Sequence, residues 1–196
     1  RSDSTESGLC RYRHFVKKKG DYFVSLEQLK ASIRDVPDFP KEGIIFKDIT
    51  PLLQHSQLLN ETLDLLAALH KSEKIDHIAA IESRGFIFGA ALAAKMGVSF
   101  VPIRKKGKLP YHTIEESYSL EYGTATIEVH EDAFKPGDKV VILDDVIATG
   151  GTAAASARLV EKLGAQVVSI DFLIELGFLN GREVLKDYKV NSLILF

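Results

Sequence analysis

The apolar positions of this chain change period along its length, and each change marks an element. Val140, Val141, Ile142 and Leu143 run together without alternation, which predicts a strand buried on both faces of a parallel sheet. Similar runs predict strands at Ile78–Ile81, Val98–Ile103, Val167–Ile174 and Val190–Phe196. Between them the spacing turns helical. Ser25 and Gln28 have capping-box spacing, and Leu26, Leu29 and Ile33 mark one face of a helix that Pro37 ends. Pro40 and Gly43 then punctuate a loop before a short extended piece, Ile44–Asp48. Leu59, Leu63 and Leu66 predict an amphipathic helix from about Ser56 to His70. Further helices are expected up to Met96, stopped by Gly97, and over Thr152–Leu163, stopped by Gly164, with a short one near Gly181–Lys186. Strands alternating with helices predict an α/β fold with a doubly wound, mainly parallel sheet. Residues 104–138 break that rhythm, being far longer than an ordinary crossover. Within them Tyr118–Tyr122 and the alternating Thr124–Val129 predict two antiparallel strands standing off the sheet, so that a stretch this long is either a lid or a segment whose elements the pattern misreads.

Composition narrows the class. A chain of 196 residues, 45% hydrophobic and carrying a net charge of −2, suits one globular domain with a good core. That balance argues against a nucleic-acid binder, and no apolar run approaches membrane-spanning length. One cysteine, Cys10, leaves no intrachain disulfide and no thiolate metal cluster, as expected in a reducing, cytoplasmic compartment. No secretory leader is expected. Residues 1–24 carry a basic cluster, Arg11, Arg13, His14 and Lys17–Lys19, interleaved with Tyr12 and Phe15. Nothing beyond it continues the charge, so it is read as a solvated N-terminal extension.

Chemistry concentrates where the predicted strands end. After Leu143 come Asp144 and Asp145, then Val146 and Ile147, then Ala148-Thr149-Gly150-Gly151-Thr152 opening a helix. Glycines let backbone N–H groups close on an anion, and the first helical turn adds orphan donors and partial positive charge. The carboxylates just upstream can accept hydrogen bonds from vicinal sugar hydroxyls. A phosphorylated sugar would satisfy both halves. The chain has no Gly-Lys-Ser/Thr and no G-x-G-x-x-G after a strand, so neither a P-loop nor a dinucleotide fingerprint explains the turn. A second strand–turn–helix unit carries Glu82-Ser83-Arg84-Gly85, and the next strand delivers Arg104-Lys105-Lys106-Gly107-Lys108. Alone the latter reads as a solvated loop; beside a phosphate turn and Arg84 it reads as a polyanion site.

The turn resembles the 5-phosphoribosyl-1-pyrophosphate (PRPP) motif of the type I phosphoribosyltransferases. Across about 25–196 the chain is similar to the adenine-using branch of that family, through PDFPKEGIIFKDIT at 37–50, ESRGFIFG at 82–89, RKKGKLP at 104–110, SYSLEYG at 117–123, DDVIATGGT at 144–152 and ELGFLNGRE at 175–183. The branch has Asp-Asp before the turn where relatives acting on other bases usually have Glu-Asp. It has Arg where Lys47 stands, and often a bulkier aliphatic at Val146. The resemblance implies a phosphoribosyltransferase domain over 25–196, with a small N-terminal hood at about 25–55 and a long β-flap at about 104–130. It implies transfer of ribose 5-phosphate from PRPP to N9 of adenine, giving AMP and pyrophosphate, in a cytoplasmic homodimer.

The resemblance also assigns roles. Ala148, Thr149, Gly150, Gly151 and Thr152 would hold the 5′-phosphate, and Asp144 and Asp145 the ribose diol. Ser83, Arg84, Arg104, Lys105 and Lys108 would bind pyrophosphate, with Mg²⁺ held mainly through PRPP itself and no dedicated protein cage. Adenine would lie between Phe46 and Val146, with Leu176 nearby and its edge against the backbone of Ile45 and Lys47. Phe46 would otherwise read as ordinary core. Glu121 takes the family's catalytic position on the flap beside Tyr122; by spacing alone it is a surface glutamate. The same fold also serves regulators that bind PRPP without turnover. Such a protein should carry a DNA-reading helix-turn-helix or a broad basic face, and only residues 11–19 hint at one.

Overall fold

The computed structural model describes residues 25–119 and 123–196. The basic cluster at 11–19, Glu121 and Tyr122 therefore lie outside the described residues. The chain opens as predicted at Ser25, whose hydroxyl accepts from the Gln28 N–H while Gln28 reaches back to the Ser25 N–H. Helix α1 spans Leu26–Ala31 and ends at Ser32, earlier than the expected stop at Pro37. The reason is pairing: Arg34–Pro37 forms strand β1, antiparallel to β2 at Ile45–Asp48, with Arg34 and Asp48 bridged at 2.6 Å. Ile33 is buried as the periodicity required, but by the turn out of α1 and not by a continued helix. Asp48 also accepts from the N–H and hydroxyl of Thr50, starting a short helix α2, Thr50–Gln54, that the pattern did not signal. Those bonds, with Arg34, hold the Asp48 carboxyl down at about 2. Helix α3 follows at Ser56–Ala68.

The rest is one seven-stranded sheet. Its strands are β3 (His77–Ile81), β4 (Ser99–Lys105), β5 (Thr113–Ser119), β6 (Thr124–His130), β7 (Lys139–Ile147), β8 (Gln166–Glu175) and β9 (Val190–Leu195), in the order β5-β6-β4-β3-β7-β8-β9. Pairs from β4 to β9 are parallel, and helices α4 (Gly85–Met96) and α5 (Gly151–Lys162) make the crossovers. One expectation is corrected: the 113–130 hairpin does not stand off the sheet. Strand β6 pairs antiparallel with β4 through Arg104↔Glu128 and Lys105↔Ile127, so the hairpin extends the sheet at that edge.

The unbroken apolar runs are explained by two packed faces. Val140 and Ile142 join Ala79, Ile81 and the small residues of α5 in one core. Val141 and Leu143 join Ile78, Ala80, Phe88 of α4, Leu66 of α3 and Leu29 of α1 in the other. The crossover through α4 carries the chain one way from β3, and that through α5 carries it the other way from β7. The order therefore reverses between β3 and β7, where open α/β sheets leave a crevice at their carboxyl ends. Pairing of β7 with β3 stops at Leu143, while its pairing with β8 continues to Ile147. The acidic pair thus lies along the crevice wall.

Candidate active site

Three cavities meet at this crevice, and Asp144 lines all of them. The first, about 90 Å³, is the turn itself, walled by Ala148, Thr149, Gly150, Gly151 and Thr152. The second, about 480 Å³, lies between β2 and the crevice and is lined by Ile45, Phe46, Lys47, Ser83, Arg84, Val146 and Leu176. The third, about 140 Å³, takes in Glu82, Arg104, Lys105, Tyr118 and Thr152. Residues expected to bind phosphate, base and pyrophosphate are therefore brought together from five stretches of chain. Lys108 lines none of the three cavities.

The phosphate turn is shaped from behind. Gly150 has φ of +80°, and a Cβ there would overlap the carbonyl oxygen of Gly181; a Cβ on Gly181 would overlap that of Ala148. The ELGFLNGRE stretch thus packs backbone on backbone against the turn. A fork of Arg182 on Glu175, two bonds of 2.7 Å, pins it there. Gly151 differs: a Cβ on it meets nothing nearer than the Tyr118 ring at 3.4 Å and the Ser119 carbonyl oxygen at 3.8 Å, both ordinary contacts. The Thr152 hydroxyl donates to Tyr118 Oη at 2.9 Å.

The acidic pair carries the electrostatic cost of the site. Burial raises the carboxyl of Asp144 well above its ordinary value, and the neighbouring Asp145 charge raises it further. Burial also raises Asp145, opposed by Arg84, whose Nε lies 2.8 Å from Asp145 Oδ2. That contact is an ion pair without hydrogen-bond alignment, leaving the buried Oδ2 short of a partner. Arg84 also lies 4.7 Å from the Phe46 ring centre and donates to the Lys47 carbonyl at 3.3 Å. Phe46 is only half-buried, its ring edge-on to Phe39 at 5.2 Å, and so faces the cleft. The Lys47 ammonium pairs with Asp35 at 2.6 Å and stands over the Phe196 ring, leaving its backbone to the cleft. The departure from Arg at this position therefore falls away from the cavity.

Sequence reasoning passed over Glu82 and Tyr118. Glu82 Oε2 accepts from Arg104 Nε at 2.9 Å and from the Lys105 N–H at 3.2 Å, and it lines two of the cavities. Its place at the end of β3, beside the switch point, was the available signal. Among the described residues no group of three or more His, Cys, Asp or Glu side chains is placed to hold a metal. A pair of buried carboxylates with an unsatisfied oxygen does suit a cation that arrives with phosphate ligands of its own.

A switch-point crevice holding a backbone phosphate turn, an acidic pair and arginines defines a phosphoribosyl-transferring site. The sequence profile of the phosphoribosyl transferase domain matches residues 48–193. The adenine phosphoribosyltransferase of Syntrophotalea carbinolica is 55% identical over 171 residues, 87% of this chain and 100% of that one. The crystal structure of the enzyme from Thermoanaerobacter pseudethanolicus superimposes with a TM-score of 0.86 at 55% identity, covering 88% of this chain and 100% of that one. The Saccharomyces cerevisiae enzyme, solved with D-2,5-dideoxy-2,5-imino-altritol 1,6-bisphosphate and adenine, gives 0.82 at 42%, covering 86% and 97%. The chain belongs to the phosphoribosyltransferase family, in its adenine phosphoribosyltransferase branch.

Proposed function

We propose that this protein transfers the 5-phosphoribosyl group of PRPP to N9 of adenine, giving AMP and pyrophosphate, a purine-salvage reaction. One observation carries the reading: three cavities of suitable chemistry for base, 5′-phosphate and pyrophosphate converge on Asp144, one of two adjacent carboxylates. A Trypanosoma brucei relative, 26% identical with a TM-score of 0.79 and covering 86% of this chain and 78% of that one, was solved with AMP, pyrophosphate and ribose-5-phosphate.

In this reading the 5′-phosphate sits in the 148–152 turn, on backbone N–H groups and the α5 N-terminus. Asp144 and Asp145 accept from the ribose hydroxyls and offset positive charge developing on the ring as its bond to pyrophosphate breaks. Arg84 releases Asp145 and turns to the pyrophosphate, which frees the Lys47 carbonyl for the adenine 6-amino group. Arg104 supplies the second guanidinium, with Lys105 and Lys108 adding charge and Ser83 a hydroxyl. The base is clamped between Phe46 and Val146, beside Leu176. Glu121, on the flap with Tyr122, takes the proton from N7 as N9 attacks C1′. Asp144 and Asp145 are the residues that would face a Mg²⁺ held mainly through PRPP, and such an ion would supply charge neutralisation for the leaving pyrophosphate. Residues 25–55 act as the hood, and the working unit is a cytoplasmic homodimer. Among the described residues no helix is long and apolar enough to cross a membrane.

Base choice tests the reading. A 6-oxo purine sets acceptor against acceptor at the Ile45–Lys47 backbone, at about 1–3 kcal/mol per unsatisfied group. Adenine turnover should exceed that of hypoxanthine by at least ~10²-fold. Equal rates with both bases would refute it.

A further inference from the structure

Glu128 is a buried carboxylate for which the reaction has so far supplied no role. It lies on β6, where Ile127, Glu128 and Val129 are buried in succession and break the alternation of a half-covered strand. Only 3% of Glu128 is exposed. What covers it is the loop after β4, folded back so that its own backbone meets the carboxylate. Glu128 Oε1 accepts from the N–H groups of Lys108 and Leu109, each at 2.8 Å, and the Thr113 hydroxyl approaches Oε2 at 3.4 Å. Burial by itself would raise this carboxyl. The N–H groups of Leu109, Gly107 and Lys108, with the Thr113 hydroxyl, outweigh it and leave the group below its ordinary value, so it is an anion at neutral pH. Successive N–H groups around one anion form a nest of the kind that binds phosphates elsewhere; here the protein fills it with its own side chain.

The consequence reaches Arg104. Its Nη1 donates to the Lys108 carbonyl at 2.9 Å and its Nε to Glu82 at 2.9 Å. Two sides of the guanidinium are thus set by the protein, and Arg104 lines the third cavity. The Lys108 carbonyl can serve as a stop only while the loop keeps its fold. With the nest empty, the Lys108 and Leu109 N–H groups would lose the acceptor that holds the loop in place. Arg104 itself stands opposite Glu128 in the β4–β6 register, so one short stretch of sheet carries both the arginine and the group that shapes its loop.

We propose that Glu128 is a positioning residue for the pyrophosphate half of the reaction, an internal anion that folds the 105–109 loop and so sets Arg104 against the Lys108 carbonyl. The proposal rests on the reading that Arg104 binds pyrophosphate. Its signature is asymmetry between the two substrates of the reverse reaction. AMP uses the phosphate turn and the base cleft, whereas pyrophosphate uses the loop.

The test is steady-state kinetics in the reverse direction, with AMP affinity measured separately by calorimetry. Glu128→Leu removes both acceptor oxygens, and the KM for pyrophosphate should rise roughly 10- to 100-fold, as losses of supporting groups do. AMP affinity should stay within about 3-fold, because no AMP contact has changed. Glu128→Gln keeps the shape and one acceptor oxygen, and should recover most of the loss while remaining measurably above wild type. If Glu128→Leu fails to fold, Glu128→Gln alone decides, with a pyrophosphate KM raised roughly 3- to 10-fold at unchanged AMP affinity. Equal weakening of AMP and pyrophosphate would overturn the proposal, because Glu128 would then be an ordinary core group. A folded variant with wild-type pyrophosphate KM would overturn it too. Arg104→Gln separates the two levels. If it raises the pyrophosphate KM and the Glu128 variants do not, the positioning role falls alone. If pyrophosphate is indifferent to all three changes, the assignment of the loop to pyrophosphate falls with it.

Discussion

The turn after β7 and the loop after β4 both present donors to anions, and they are built in opposite ways. The first uses backbone: Ala148–Thr152 carries no cationic side chain, and its form depends on Gly150 and Gly181 lying backbone to backbone. The second uses side chains, Arg104, Lys105 and Lys108, on a loop whose backbone donors turn inward to Glu128. A backbone site is rigid and local, so its demands fall on two or three adjacent residues. A side-chain site borrows its geometry from distant partners, here Glu82 and Glu128, and can fail when any of them changes. The acidic pair lies between them, and burial raises both of its carboxyls.

The contrast is open to attack at its strongest point first. Gly150→Ala forces a left-handed residue to carry a Cβ, at about 1–2 kcal/mol, and also pushes it into the Gly181 carbonyl. We expect PRPP affinity by calorimetry to fall on the order of 10²-fold, while Gly151→Ala, whose Cβ makes only ordinary contacts with Tyr118 and the Ser119 carbonyl, loses less than about a tenth of that. Equal losses at the two glycines would mean that ligand crowding, and not the packing behind the turn, sets the form of the site.

A weaker blow falls on the loop. Arg104→Gln removes a charged hydrogen bond of about 1.5–3 kcal/mol, so the pyrophosphate KM should rise roughly 10-fold or more while ribose 5-phosphate binding is unmoved. Salt should sharpen the same division. Between ~0.05 and ~0.5 M the screening length shrinks severalfold, so pyrophosphate should weaken severalfold and ribose 5-phosphate less than about 2-fold. Parallel salt curves would erase the distinction between backbone and side-chain recognition.

The smallest effect concerns the pair itself. The folded-state carboxyl of Asp144 is raised above its unfolded value by burial and by Asp145. The folded protein therefore holds a proton that the unfolded chain has released, and stability declines as pH rises from about 4 through the folded value. Asp144→Asn should flatten that decline and raise the neutral-pH melting temperature of the empty protein, at about 2–4 °C for each ~1 kcal/mol relieved. A lower melting temperature in the ligand-free scan would show that the pair stabilises the fold.

Much of this was legible along the chain because the controlling physics was local. Four successive apolar residues at 140–143 announce a doubly covered strand, and a Gly-Gly turn after two aspartates announces an anion site, since strand, turn and helix N-terminus are contiguous. The capping box at Ser25 was readable for the same reason. What failed along the sequence was non-local. The stop of α1 before Pro37 depends on β2, a dozen residues on, offering Arg34 a strand partner. The hairpin joins the sheet because β4 has a free edge, which no period inside 113–130 can reveal. Pairing of Glu82 with Arg104 and burial of Glu128 under the 107–109 loop are likewise products of topology. A sequence pattern reports which face of an element is apolar and which backbone turns are possible. Which charge ends up buried against which loop is decided only when separate strands are laid side by side, because the energy of a buried charge depends on partners that the chain brings from elsewhere.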